Sequence, residues 1–202
     1  GTIYFILSTW NGSGGLSLSL LIRLELSNSS NFMNDSNSYN IIISAHAIMM
    51  IFFMIMPITM GGFGNWLLPL MLMCPDMAFP RLNNFSLWIL IPSILLFIIS
   101  MMMNLGMSAG WTMYPPLTMT NSHNDYSMEL MILSLHLASI SSITSSINFL
   151  TTFINMNSLP LNKTPLFIWS IIFTAILLII TLPILGSTIT MLLFDRNFNT
   201  SF

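Results

Sequence analysis

The sequence predicts an all-α membrane protein: a single membrane domain built as a polytopic bundle of transmembrane helices. Three observations predict it. Charged residues make up 5% of the chain, against about 25% in a soluble domain. Hydrophobic residues make up 54%. These apolar residues are gathered into long runs, the fullest being residues 41–73, IIISAHAIMMIFFMIMPITMGGFGNWLLPLMLM, which carries no charge. About 20 apolar residues cross a bilayer as a helix, so this run crosses with a turn or two to spare.

Five such segments follow one another. The first covers residues 1–22 and the second 41–73. The third covers 87–107, the fourth 130–154 and the fifth 166–194, each of spanning length. Between the first two lies an Asn/Ser-rich loop (Ser27–Asn40), and after the second a turn-rich link, Pro75–Asn84. A Gly/Pro/aromatic loop occupies Ala109–Tyr126, and Asn157–Lys163 makes the last short connection. Prolines 57, 69, 92 and 183 fall inside segments, where neighbouring helices satisfy the freed carbonyls and each proline marks a kink. Gly61, Gly62 and Gly64 suit close helix approach. Trp66, Trp88, Trp111 and Tyr114 near span ends fit interfacial belts. The start at Gly1 inside an apolar segment, without the flanks of a signal peptide, predicts an incomplete chain.

The composition excludes several functions. A formal charge of -2 from so few groups argues against nucleic acid or any charged polymer as partner. The one cysteine, Cys74, makes no internal disulfide and reads as a small buried apolar residue; no Cys/His spacing resembles a zinc site. No phosphate-binding glycine loop and no nucleophile elbow is present. Positive charge does not orient the chain, because Arg23 and Arg196 fall on one side of a five-span arrangement and Arg81 and Lys163 on the other.

Chemistry is therefore sought among polar groups inside the spans. His46 lies about a turn inside the second segment, and an ionisable residue near membrane depth is costly enough to be a functional-site candidate. The residues leave two roles open: a core histidine bonded to a neighbouring helix, or a metal ligand. Ser134, Ser141, Ser145 and Asn148 on the fourth segment fall within roughly 40° of one line at about 100° per residue, a polar stripe down an apolar helix. Such hydroxyls either bond back to their own helix or bridge helices, or they order a chain of water for proton transfer. Asp76 between two spans is either a turn cap or the mouth of that water chain. His136 and His123 have no histidine four residues away and read as structural. Arg23 and Glu25 close the first segment, a place where arginine ordinarily snorkels to the headgroups.

Longer blocks carry a resemblance. SAHAIMMIFFMIMPITMGGFGNWLLPLMLMCPDMAFPRLNN (Ser44–Asn84), GWTMYPPL (Gly110–Leu117) and SLHLASISS (Ser134–Ser142) resemble the cytochrome c oxidase subunit I family of the mitochondrial type. INFLTTFINM (Ile147–Met156) and ITMLLFDRNFNTSF (Ile189–Phe202) continue the likeness in the same order, so that it covers practically the whole chain. The resemblance implies an internal fragment holding about five of the family's twelve spans. The intact subunit would sit in the mitochondrial inner membrane with subunits II, which carries dinuclear copper, and III. It would oxidise cytochrome c, reduce O₂ to water through haem and copper centres, and pump protons.

Residue by residue, the resemblance implies that His46, in AHAIMMIFFM, binds the iron of a low-spin haem A. Arg23 matches the arginine set against a haem side group, and Ser19, Tyr39 and Trp111 match residues of the same pocket. Glu25 matches a carboxylate of a peripheral sodium/calcium site. Asp76 matches the entrance of a proton-uptake channel whose waters are carried by Asn65, Asn83, Ser86, Ser141, Ser142 and Asn148, with Tyr4 near the path. The Asp76 loop would face the matrix and the Trp111 loop the intermembrane space.

Departures are specific. Ser27-Asn28-Ser29-Ser30 replaces the family's Gly-x-Pro-Gly, which puts the loop part of the cation site in doubt. Ser36 stands where the mammalian form has an aspartate, so a second proton path is not carried over. Met73 and Cys74 replace a Gly-Ala pair before Pro75-Asp76, and Asn11 is an unusual polar residue in the first segment. The ligands of copper, of the second haem A, and the second ligand of the low-spin haem would lie beyond Phe202, so that the fragment alone reduces no oxygen. Two other functions share these features: a haem–copper quinol oxidase, and a proton channel or transporter without redox chemistry.

Overall fold

The computed structural model describes residues 1–27, 32–33, 35–103 and 106–202, and no strand occurs among them. Five long helices follow in chain order: α1 (Thr2–Ser27), α2 (Ser36–Leu72), α3 (Pro80–Met102), α4 (Ser127–Met156) and α5 (Leu166–Asn197). A single 3-10 turn, Leu161–Lys163, lies in the last connection.

Helices α2 to α5 are long and apolar enough to cross a membrane. α1, with 26 residues, has the length but is diluted by Asn11, by three glycines and by a series of serines. Each helix departs from its expected bounds because caps, not hydropathy, end a backbone ladder. α1 runs to Ser27 rather than residue 22, which places Arg23 and Glu25 inside its last turns. α2 starts at Ser36 rather than 41, because the Asp35 carboxylate accepts from the N–H groups of Asn37 (3.0 Å) and Ser38 (3.3 Å). The bond from the Asn37 N–H, helped by the Ser38 hydroxyl (2.9 Å) and N–H, holds Asp35 below the usual carboxylate range. α3 begins seven residues earlier than its apolar run, with Pro80 at its first turn where a missing N–H costs nothing, and ends at Met102 rather than 107. α4 and α5 each extend a few residues beyond their apolar cores.

α1 packs along α2, and α4 lies between α3 and α5. One core cluster joins Tyr4 of α1, Ala45, Ile48 and Phe53 of α2, Leu90 and Phe97 of α3, and Ile132 and Leu135 of α4. A second gathers Leu68 and Leu72 of α2 around Phe149 of α4 and Ile168 and Ile172 of α5. Gly61 permits the first contact: a Cβ there would stand 2.4 Å from the Tyr4 ring.

α2 is not wound uniformly. From Met49 to Ile55 and from Pro57 to Gly64 it takes a wider π-type winding, in which the Met56 N–H reaches back five residues to Ile51 O. Pro57 offers no N–H to the preceding turn. Asn11 of α1, fully buried, reaches across with Nδ2 to Phe53 O, the carbonyl four residues before Pro57, at 3.3 Å. The kink expected at Pro57 is thus a loosened stretch of several turns, and Asn11 is the cross-helix tie that serves it.

Candidate functional site

His46 sits half-buried in α2, opposite Gly15 of α1, and its Nδ1 lies 2.8 Å from Gly15 O. A carbonyl only accepts, so this bond fixes the proton on Nδ1 and leaves the lone pair on Nε2. A histidine oriented through its second nitrogen by a backbone carbonyl is the arrangement metal-ligating histidines adopt. Close approach makes the bond possible, because a Cβ on Gly15 would stand 2.5 Å from Met50 Sδ. Among the described residues no cluster of three or more His, Cys, Asp or Glu side chains assembles a metal site. Among the described residues His46 is thus offered as a lone nitrogen donor, and the chemistry of that donor fits haem iron.

Helix geometry brings the other pocket candidates toward one end. Ser19 and Arg23 follow Gly15 by four and eight residues and lie along one side of α1. Tyr39 precedes His46 by seven residues, two turns, on the same face of α2. Because α1 and α2 run antiparallel, Arg23 and Tyr39 lie about 12 Å and about 10 Å from the Gly15–His46 contact in the same direction. Arg23 is exposed, while Ser19 and Tyr39 are half-buried. The loop carrying Trp111 leaves α3 at this same end. Trp111 is 55% exposed and shares a cavity of about 520 Å³ with Ile48 and Phe52 of α2. Glu25 Oε2 accepts from the Met33 N–H at 3.0 Å; residues 28–30 of the expected cation loop lie outside the described residues.

The opposite end gathers most of the polar stripe. Tyr4 Oη lies 2.7 Å from Ser86 Oγ, which itself donates to Asn83 O, and Ser141 donates to Ser86 O at 2.7 Å. Asn83 Nδ2 donates to Asn65 Oδ1 at 3.0 Å, and Asn65 Nδ2 to Gly61 O at 2.6 Å. Tyr4, Gly61, Ser141, Ser142 and Ser145 line a void of about 20 Å³, room for about one water. Ser134 exchanges bonds with Ser93 of α3, so the stripe faces α3 along its length. Ser142 and Ser145 bond back to carbonyls four residues earlier, as serines in apolar helices do. Asn148 spends its amide on the backbone of Phe79, accepting from the N–H at 2.9 Å and donating to the carbonyl at 3.2 Å. That places Asn148 as the anchor of the α3 start. Asp76 is exposed in the loop before α3, with Oδ1 accepting from the Met77 N–H.

His123 and His136 are both held by hydrogen bonds within the bundle. Both ring nitrogens of each are engaged, His123 with Ser108 Oγ and Leu117 O, His136 with Ile132 O and Thr190 Oγ1. Sequence reasoning missed Arg196. It is buried, with its side chain 1% exposed, and its fork meets both carboxylate oxygens of Glu129. The signal available was positional: in the antiparallel pair α4–α5, Glu129 in the first turn of α4 and Arg196 in the last turn of α5 fall at one end.

Comparison with known proteins covers the whole chain. The family model for "Cytochrome C and Quinol oxidase polypeptide I" matches residues 1–202. The chain is 51% identical over 205 residues to cytochrome c oxidase subunit 1 of Pecten maximus, covering 100% of this chain and 43% of that protein. It is 50% identical to the same subunit of Yarrowia lipolytica and 48% identical to that of Eremothecium gossypii, in each case over 99% of this chain and 38% of the relative. The chain thus spans about two fifths of the length of the curated relatives it matches.

Proposed function

The chain belongs to the cytochrome c and quinol oxidase polypeptide I family, and we propose that it is the part of a cytochrome c oxidase catalytic subunit that supplies one axial ligand of a low-spin haem A and the outer half of a proton-uptake route. The observation that carries this reading is the Gly15 O···His46 Nδ1 bond. His46 would hold a haem there, and that group would supply one-electron transfer at a potential tuned by its ligand and surroundings.

The chain's own residues then have distinct tasks. His46 presents Nε2 as a neutral donor from a fixed tautomer. Arg23, exposed two turns along α1, is free to turn its planar fork toward a haem side group. Tyr39, Ser19 and Trp111 complete the walls at the same end. On the other side Asp76 collects protons at the surface. Asn65, Asn83, Ser86 and Tyr4, hydrogen-bonded in sequence, lead inward to the void beside Ser141 and Ser142. Asn148 holds Phe79 and so sets where that route opens. Copper, the second haem A and the remaining ligands belong to the part of the intact subunit outside this chain. Subunits II and III, cytochrome c and the mitochondrial inner membrane follow as its setting; Glu25 is offered to a sodium or calcium ion.

Reduced-minus-oxidised absorption of the intact complex tests the reading. Low-spin haem A bands are expected. Their absence would leave a proton transporter without redox chemistry, and a complex that oxidises quinol but not cytochrome c would assign the chain to the quinol branch.

A further inference from the structure

Burying an arginine is expensive unless every donor is met, and Arg196 is met at all three nitrogens. Nε donates to Glu129 Oε1 at 2.9 Å, and Nη2 lies within 3.0 Å of both Glu129 oxygens. The remaining bonds all go to one loop. Nη1 donates to Thr118 O, and Nη2 donates to His123 O at 3.0 Å and Asp125 O at 3.2 Å. The same loop is stitched further by His123, which joins Ser108 to Leu117, and by Ser127 Oγ, which donates to Gly106 O at 2.8 Å. The second half of the loop, residues 117–125, is thus wrapped around a guanidinium that belongs to α5.

The first half does something different. Trp111, Met113 and Tyr114 form one wall of the cavity of about 520 Å³, facing Ile48 and Phe52 of α2 and Leu192 of α5. The Thr118 N–H donates to Tyr114 O at 3.2 Å, which hangs the wall from the pinned half, and the Met113 N–H donates to Gly110 O at 3.3 Å in a turn that encloses Trp111. Trp111 itself is 55% exposed, and among the described residues no hydrogen bond holds its side chain.

We propose that Arg196, held by Glu129, is a positioning residue that clamps the 106–126 loop and thereby sets where Trp111 stands against the haem pocket. The placement of Trp111 at that pocket rests on the function proposed above; the clamp itself does not. Lysine keeps the charge but replaces the planar fork with a single ammonium that cannot reach Glu129 and three carbonyls at once.

The test uses the assembled oxidase with full-length subunit, comparing wild type with Arg196→Lys, Glu129→Gln and Trp111→Phe. In Arg196→Lys complexes that retain full haem content, amides of residues 106–126 should exchange with deuterium roughly tenfold faster or more, with the cores of α2 and α3 unchanged. Glu129→Gln, which spares the three carbonyl bonds, should give a smaller acceleration, and it decides the matter if the lysine variant fails to assemble. The low-spin haem band should shift in Arg196→Lys as it does in Trp111→Phe, and the double variant should add nothing further. Unchanged loop exchange overturns the clamp. Faster exchange with an unmoved band, when Trp111→Phe does move it, overturns the positioning of Trp111. A silent Trp111→Phe counts against the haem-pocket reading alone, and the clamp then stands or falls on exchange.

Discussion

Asn11 Nδ2 lies 3.3 Å from Phe53 O, so a side chain of α1 serves a backbone carbonyl of α2 four residues ahead of Pro57. Asn11 also donates to Leu7 O at 3.0 Å, while its Oδ1 is buried and meets no partner among the described residues. The arrangement has a cost and a benefit in one residue: an unmet acceptor on one side, a bond to a carbonyl of the loosened stretch just ahead of Pro57 on the other.

Asn11→Ala in the full-length subunit should therefore destabilise by up to about 1 kcal/mol, because leaving Phe53 O unmet costs about 1–3 kcal/mol and removing the unmet Asn11 oxygen offsets part of it. In a Pro57→Ala background, where residue 57 regains its N–H, the same change should cost less. Thermal inactivation of the four assembled oxidases, read as a double-mutant cycle, checks this; strictly additive effects would show that Asn11 does not compensate for Pro57.

Met73 ends α2 in the left-handed region at φ 57. A side chain there costs on the order of 1 kcal/mol relative to glycine. Met73→Gly should lengthen the half-life of the assembled enzyme at elevated temperature. An equal or shorter half-life would mean that contacts of the Met73 side chain outweigh the backbone cost.

The Cys74 thiol is pushed up chiefly by burial, with the Asp76 charge adding to it and a hydrogen bond opposing. A raised value keeps the thiol protonated, and only the thiolate reacts. Alkylation of Cys74 in the intact oxidase should therefore keep accelerating with pH beyond the point where an ordinary cysteine levels off. Asp76→Asn should move that point down only part of the way, because burial is the larger cause. A plateau at or below the ordinary thiol value contradicts the assignment.

The fold class and the existence of every helix were legible because apolar runs of spanning length leave few alternatives. Helix ends were not, since they are set by local capping such as Asp35 on Asn37 and Ser38 or by Pro80 at a first turn, which hydropathy does not register. The stripe from Ser134 to Asn148 was legible as a face, because periodicity fixes direction. What each member does was not: Ser134 pairs with Ser93, Ser145 bonds to its own helix, and Asn148 is spent on Phe79. Arg196 was read only as a terminal charge counted toward topology; it lies at the expected end of the bundle, but buried and paired. Its burial depends on a loop folding over it, and nothing in spacing along α5 announces that.

Asp76 as the collecting group of the proton route predicts a clean separation of functions. Asp76→Asn preserves size and hydrogen bonding, so a merely structural aspartate would be replaced without effect. Reconstituted vesicles carrying the variant should show slowed turnover and lost proton pumping with both haem spectra intact, since the haem-pocket residues lie toward the other end of the helices. Normal pumping stoichiometry would remove Asp76 from the route.

If His46, oriented by Gly15, is the proposed donor to a low-spin haem, the optical spectrum of purified full-length His46→Ala oxidase shows it. No other histidine lies within a helical turn of His46, so the low-spin haem signal should be lost in a complex that still assembles and retains its other haem. A full low-spin signal in that variant would show that another residue is the ligand and that the Gly15–His46 bond is only a helix contact.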